Sequence, residues 1–517
     1  MTDLPDLPGQ PEAPDDDQVR ERRVIARSRF FLRIAIISVA LITVLGIVGQ
    51  FGVNAITESP TTVEPIQSSV LLCPEPGVGA QAGSRMTAAV VPGQPGQDEG
   101  AGKVSVTTLT GKVSERATLT APGAQTEIAG RGRKLPPIRV IGTGALAPGL
   151  IANQWSRDPR GQGRGMASTP CDAAGSDFWF VGGGAVAGRQ TRVVLVNPDA
   201  FAAVVDLVIY GPDGIVDAPG GRGLVVNPLQ RMYVRLDALA PGVATTAMHV
   251  IARTGRVGAS IDDDQMSGLR SIGTEWVPRS AAPATKVYVP GVFPGSGVRV
   301  LAIAAPGEQD AQVSIRVLSS DGTFQPAERD RVTVPNDSVV SMDMSSVTQG
   351  QAATLELTSD TPIVAGMRQF FGSQRVQNDT AYAAGAQALT TTAAVSGLPV
   401  QGATRVHLAL TAPAGATKVQ VSLLPYLGRD RVSTPVQVQT VSIAAGSVVW
   451  LPLRLRQQSA WFTAVVTPLG TEPYLVAHQV LERSSFGDLV TGYPWAALRT
   501  EVTVPTAVQD PSLPVRK

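Results

Sequence analysis

The chain has 517 residues, with 43 Lys and Arg against 42 Asp and Glu, for a net charge of +1. That balance excludes the basic footprint of a nucleic-acid-binding protein, and the length leaves room for roughly three or four domains. The 53 Gly and 40 Pro, with abundant Val and Thr, suit many short strands joined by tight turns better than helices. Arg outnumbers Lys by a wide margin, and Ala, Gly, Val and Pro are frequent, which points to a high-GC genome such as that of an actinobacterium.

Residues 1–33 read as a cytoplasmic tail. Its first 19 positions are acidic, with Pro5, Pro8, Pro11 and Pro14 at every third place, the period of a polyproline II helix. A solvated, disordered tail is expected, with a cytoplasmic docking peptide as the alternative. The run from Ile34 to Val53, IAIISVALITVLGIVGQFGV, has no charged residue and about the ~20 residues a helix needs to cross a bilayer. Arg20, Arg22, Arg23, Arg27, Arg29 and Arg33 precede it, while only Glu58 and Glu64 follow closely. The positive-inside bias therefore puts the N-terminus in the cytoplasm and the bulk of the chain outside, at the plasma membrane. A transmembrane helix over residues 34–55 is expected. A cleaved signal peptide and a buried core helix are the alternatives, but a signal's apolar core is only ~7–15 residues long. A polar linker, 56–67, follows.

From Ser68 onward the chain repeats itself. MTAAVVP ends at Pro92, RVVLVNP at Pro198, VLAIAAP at Pro306 and HLALTAP at Pro413, so the prolines stand 106, 108 and 107 residues apart. Before each of the last three prolines the apolar residues alternate, as Val193 and Leu195, Leu301 and Ile303, and Leu408 and Leu410. A second alternating run follows each: Val205, Leu207 and Ile209; Val313, Ile315 and Val317; Val419, Val421 and Leu423; more distantly Val104 and Val106. Period two denotes a strand with one buried face. Asp213-Gly214 and Asp321-Gly322 supply tight turns, and the proline segment is expected to join two adjacent strands. ALAPG at 145–149 recurs at 238–242, each time after a strand-like run.

A unit of about 107 residues with several short strands has the size of an immunoglobulin-type β-sandwich. The expected fold is all-β, with four tandem immunoglobulin-like β-sandwich units at 68–176, 177–285, 286–395 and 396–498 and a disordered tail at 499–517. A β-propeller-like arrangement is the alternative; its blades recur at about 40–50 residues, which requires two per repeat. The two cysteines, Cys73 and Cys171, both follow the membrane run, and in an oxidising exterior they most simply pair, closing the first unit. Buried thiols and a lipid-modified Cys73 are the alternatives.

No reaction signature emerges. His249, His407 and His478 do not fall in HExxH spacing, and the chain has no GxSxG, CxxC or GxxxxGK[ST]. No cofactor or metal is expected. Asp262-Asp263-Asp264 lacks the alternate ligand spacing of an EF-hand and reads as a solvated loop, with a calcium site as the alternative. The first unit carries two basic clusters: Arg131, Arg133, Lys134 and Arg139, and then Arg157, Arg160 and Arg164 in a glycine-rich loop beside Trp155. Guanidinium forks match phosphate and carboxylate oxygens, and an indole stacks on a sugar face. These eight residues form the candidate anion or glycan site, with flexible charged loops as the plain alternative. Aromatic residues make up only 5% of the chain, which argues against a long sugar-stacking groove, and the other tryptophans are expected in cores.

Cys73-Pro74, GALAPGLIANQW, GRGMASTPC followed by DFWFVGGG, RVVLVNPDAFAAVVDLVIYGPDG, and DALAPG with AMHVIARTGRVGAS resemble an actinobacterial family of single-span, extracytoplasmic β-rich envelope proteins of unknown function. The resemblance is good over about residues 70–265 and thinner to about 480. It implies a β-rich region outside the membrane and a cysteine pair at Cys73 and Cys171. Its members are often encoded near glycosyltransferases, which points to envelope glycopolymers without naming a reaction. The family has no catalytic residues to carry over.

The sequence thus points to a non-enzymatic, membrane-anchored scaffold or accessory protein that binds an envelope protein or an anionic glycopolymer. A carboxylate-dependent glycan hydrolase or transferase is one rival, because two acids from distant strands leave no local signature. A transmembrane sensor signalling through the proline-spaced tail is the other.

Overall fold

The apolar alternation of the repeats is an alternation of buried side chains along strands. In the computed structural model, the described residues are 36–43, 61–76, 83–98, 100–131, 135–161, 163–372, 379–400, 402–429, 431–483 and 487–505. They fall into two units, Glu64–Val502 and a smaller one drawn from the two ends of the chain. In the smaller unit, residues 36–43 are helical and exposed. Most of the apolar run 34–55 lies outside the described residues, and among those described no helix is long and apolar enough to cross a membrane.

The larger unit is all-β. Among the described residues the chain forms seven sheets, and none closes on itself. Of its four largest cores, three each draw side chains from a pair of sheets and the third lies between two arms of one sheet, counted below as a pair. The strands of the first pair run from Ser68–Cys73 to Asp172–Ala173, and those of the second from Asp177–Val181 to Arg279–Ser280. The third pair runs from Ala284–Val292 to Asp379–Ala384, and the fourth from Ala393–Pro399 to Leu489–Thr491. Val193, Leu195, Val205, Leu207 and Ile209 fill the second core, and their counterparts fill the third and fourth. Each such aliphatic side chain contributes about 1.5–3 kcal/mol by leaving water.

The proline segments do not join neighbouring strands, and that expectation is corrected. Arg189–Val196 and Ala203–Gly211, on either side of Pro198, lie in opposite sheets of their pair. The same crossing separates Arg299–Ala304 from Ala311–Ser319, Thr404–Ala412 from Thr417–Pro425, and Gly83–Val90 from Gly102–Leu109. Proline has no N–H for a ladder, so the strand stops and the chain crosses over its core. Burial alternates identically whether the next strand is a neighbour or lies opposite, so periodicity did not distinguish the two. The two tight turns are formed: Gly214 and Gly322 take φ of 116° and 107° and pair with Gly211 and Ser319.

The third pair is not two separate sheets. The 19-residue strand Ala353–Phe371 pairs with Ala284–Val292 and Ala311–Ser319 through its first part and with Arg299–Ala304 and Asp379–Ala384 through its second. A single parallel bridge, Ser319 to Ser447, extends the pairing into the fourth pair. Thr61–Pro65 and Glu501–Pro505 form a two-stranded sheet where a linker and a disordered tail were expected. Nearly all of their residues are exposed, so with no buried face they leave no apolar period to read.

The four pairs make a closed circuit. Neighbours in sequence touch through the Arg231–Glu75 ion pair, Arg189 Nη2 to Tyr382 OH at 2.8 Å, and Thr354 to Thr411 at 2.8 Å. The fourth then returns to the first: Trp461 Nε1 donates to Glu127 at 2.8 Å, Gln125 Nε2 to the Pro425 carbonyl at 3.1 Å, and Asn153 Nδ2 to the Ser396 carbonyl at 3.1 Å. Arg157 Nε donates to Glu482 at 2.6 Å across the same junction.

Cys73 and Cys171 form a disulfide within the first core, 98 residues apart in sequence. A loop of that length is worth about 4–5 kcal/mol in the chain-entropy description. Replacing both cysteines by Ala should lower the denaturation midpoint of the full chain by a loss on that scale, and reduction should do the same to the native protein. An unchanged midpoint in urea titrations would contradict this.

Candidate functional site

Each sheet pair sends one edge strand to a common centre. The strands are Gly165–Pro170, Arg270–Val277, Asp379–Ala384 and Leu489–Thr491, and they pack against one another. An edge strand has unpaired backbone N–H groups, which are costly when buried without acceptors. Two acids, Glu275 and Asp379, supply the acceptors. Asp379 Oδ2 accepts from Met166 N at 2.9 Å and Val490 N at 3.0 Å, while Oδ1 accepts from Thr380 N at 2.9 Å. Glu275 Oε1 accepts from Ser168 N and Trp276 N, both at 2.9 Å. A carboxylate from the third pair thus holds strands of the first and fourth, and one from the second holds the first.

Arg164, fully buried, donates through Nη2 to the carbonyls of Gly487 at 2.7 Å and Asp488 at 3.1 Å. Ser168 and Thr491 share a hydroxyl hydrogen bond of 2.8 Å. Burial outweighs the three N–H bonds and pushes the Asp379 carboxyl up to about 7. It also holds Glu275 well above the usual range. Close by, burial pushes His478 down to about 3, and its Nδ1 accepts from Trp495 Nε1 at 2.9 Å. Among the described residues no group of three or more His, Cys, Asp or Glu is placed to hold a metal.

The segments that follow the four axial strands converge on a cavity of about 550 Å³. They are residues 170–173, 278–282, 385–391 and 493–499. Leu150, Ala394, Val395, Trp495 and Leu498 give it apolar walls, and Asp172, Arg279 and Arg499 bring charge. Among the described residues Asp172 is the only carboxylate in the lining, and burial pushes it up to about 6 against the pull of Arg279. Arg279 donates to the Asp177 carbonyl at 3.0 Å and lies 4.7 Å over the Phe178 ring. This size, and a place where several parts of the chain meet, suit a ligand site.

The basic residues singled out in the sequence are only partly gathered. Arg131 and Arg157 both stand opposite Gly83, on its two sides in one sheet. Arg157 is committed to Glu482, and Arg164 to the buried axis. Arg139 lies in the other sheet of the pair, where it donates to the Pro198 carbonyl at 2.6 Å. Arg160 is exposed, with its backbone N–H on Asp158 Oδ1, and Arg133 and Lys134 lie outside the described residues. Trp155 is partly buried. Arg85 sits 5.1 Å over its ring, and the fourth core packs against it.

The acidic triplet is not a solvated loop, and that expectation is also corrected. It lies in the strand Gly258–Ser267, with Asp262 and Asp263 buried against Arg192 and Arg189. Those arginines are some 70 residues away in sequence, so no local pattern announced the pairing. Glu275 and Asp379 were missed as well. The available signal was a single acid inside an otherwise apolar or small-residue strand, IGTEWV and DTAYAA.

The architecture defines an all-β protein of several paired, unclosed sheets with a buried polar axis. The chain belongs to DUF5719, a family of unknown function whose model matches residues 117–454. No curated protein matches it.

Asp379 gives a pH test. Its carboxyl titrates near 3.9 in an unfolded chain and about 7 in the fold, so between those values the folded chain keeps a proton the unfolded chain has lost. Its contribution is fully present below about pH 4 and lost as pH rises through about 7. The stability difference between the native chain and Asp379→Asn should therefore shrink from about pH 5 to 7, by at most ~1.4 kcal/mol per pH unit. Urea titrations at several pH values that show a constant difference would refute the assignment.

Proposed function

We propose that this chain is a single-pass membrane protein whose repeats, read as tandem immunoglobulin-like sandwiches, stand outside the cell and bind an envelope protein or anionic glycopolymer without catalysis. The apolar run 34–55 and the arginines before it support the anchor and its orientation. The Cys73–Cys171 disulfide fits an oxidising compartment. Strands that alternate between two sheets, in units of about 107 residues, support sandwiches over propeller blades, each of which is a single sheet. The Arg-rich, Ala- and Gly-rich composition supports an actinobacterial source.

The cavity of about 550 Å³ carries the binding part of the reading. Its apolar walls and its two arginines suit a ligand with an anionic group. Its single carboxylate falls short of the two acids, about 5–10 Å apart, that a glycosidase uses.

Two measurements test this. Protease added outside intact cells should digest the repeats and spare residues 1–33; protection of the repeats would overturn the topology. Full-length protein in detergent should retain acidic envelope glycan or a partner protein, and Arg499→Glu should weaken retention about tenfold by placing like charge at the rim. Undiminished retention by that variant would remove the cavity from the account.

A further inference from the structure

Between the second and third sheet pairs lies a smaller cavity of about 110 Å³, whose lining includes Arg189, Arg368, Tyr382, Phe370 and Thr245. Its charges do not balance. Asp263 is exposed only 1% and its oxygens are fully engaged. They accept from Arg189 Nε at 2.9 and 3.2 Å, Arg189 Nη2 at 3.0 Å, Thr191 Oγ1 at 2.6 Å and Tyr382 OH at 2.6 Å. A carboxylate has about four lone-pair sites, so Arg189, Thr191 and Tyr382 saturate this one.

Arg368 is left over. Its nearest approach to Asp263 is 3.8 Å, beyond hydrogen-bonding distance. Its Nη2 donates to the neutral Gln265 amide, and its buried Nε has no acceptor. The guanidinium lies 4.2 Å from the Phe370 ring centre and 5.9 Å from that of Tyr382. Ring faces offset part of the cost of burying a cation, but such contacts supply only about 0.5–2 kcal/mol against a desolvation penalty of several. Arg189 and Arg368 share the single carboxylate of Asp263, so the cluster keeps one net positive charge beside the cavity that both arginines line.

We propose that this cavity binds a small monovalent anion of the size of chloride or bromide, held by Arg368 and the outer edge of the Arg189–Tyr382 cluster. The size disfavours larger ligands: 110 Å³ holds about three to four waters at ~30 Å³ each, well short of the ~300 Å³ or more of a sugar or nucleotide site. The charge sets the valence. A monoanion brings the cluster to neutrality, whereas a divalent one would leave it negative. The site joins Arg189 and Asp263 of the second pair to Arg368 and Tyr382 of the third, so the anion would fasten one pair to the next.

The test uses the full-length chain in sodium chloride or sodium gluconate at equal ionic strength. Chloride should raise the thermal midpoint by about 2–4 °C, since a ligand bound only by the folded state stabilises it. Arg368→Met, which removes the charge at similar length, should abolish the difference between the salts. Equal midpoints for the native chain, or a difference that survives in Arg368→Met, would overturn the proposal. If that variant does not fold, anomalous diffraction from native crystals grown in sodium bromide decides. A bromide peak against Arg368 supports the site, and its absence there refutes it whatever the midpoints show.

Discussion

A sheet edge buried inside a protein carries backbone donors with nowhere to go. Four such edges meet within the larger unit, one from each sheet pair, and the joining of the pairs there depends on how their N–H groups are met. Extending the sheets would merge the pairs, and water has little access. Side-chain carboxylates are the remaining solution, and Asp379 and Glu275 supply them. Because each acid reaches strands of other pairs, satisfying the edges and joining the repeats are one act.

Acids serve as hydrogen-bond acceptors away from the axis too. Asp263, Asp262 and Glu356 are acceptors held by arginines. A buried pair of this kind contributes little net stability over an apolar one, yet losing one partner is costly. Such pairs set which surface meets which.

Much of the fold was legible in the sequence, because a strand with one buried face writes its period directly. Val193 and Leu195, or Val419 and Val421, are read and then found in cores. What the period does not encode is which sheet a strand enters, so the crossing at Pro198 was misread as adjacency. Elements without a buried face, such as Thr61–Pro65, left no trace at all. The candidate sites were less legible than the fold. The large cavity is built from four segments spread from residue 170 to 499, and a lone acid like Asp379 gains its meaning only from strands more than 100 residues distant. Of the conspicuous basic clusters of the first repeat, Arg139, Arg157 and Arg164 are committed to contacts within the fold.

The return contact of the last repeat upon the first sets this molecule apart from open arrays. In a solenoid, evolution can append or delete a module at either terminus, because each touches only its neighbours. Here Trp461 on Glu127 and Tyr493 on Asn153 also tie the last pair to the first. Removing the last pair would leave Glu127 and Asn153 without these partners, so its loss would be felt in the first pair as well as in the third.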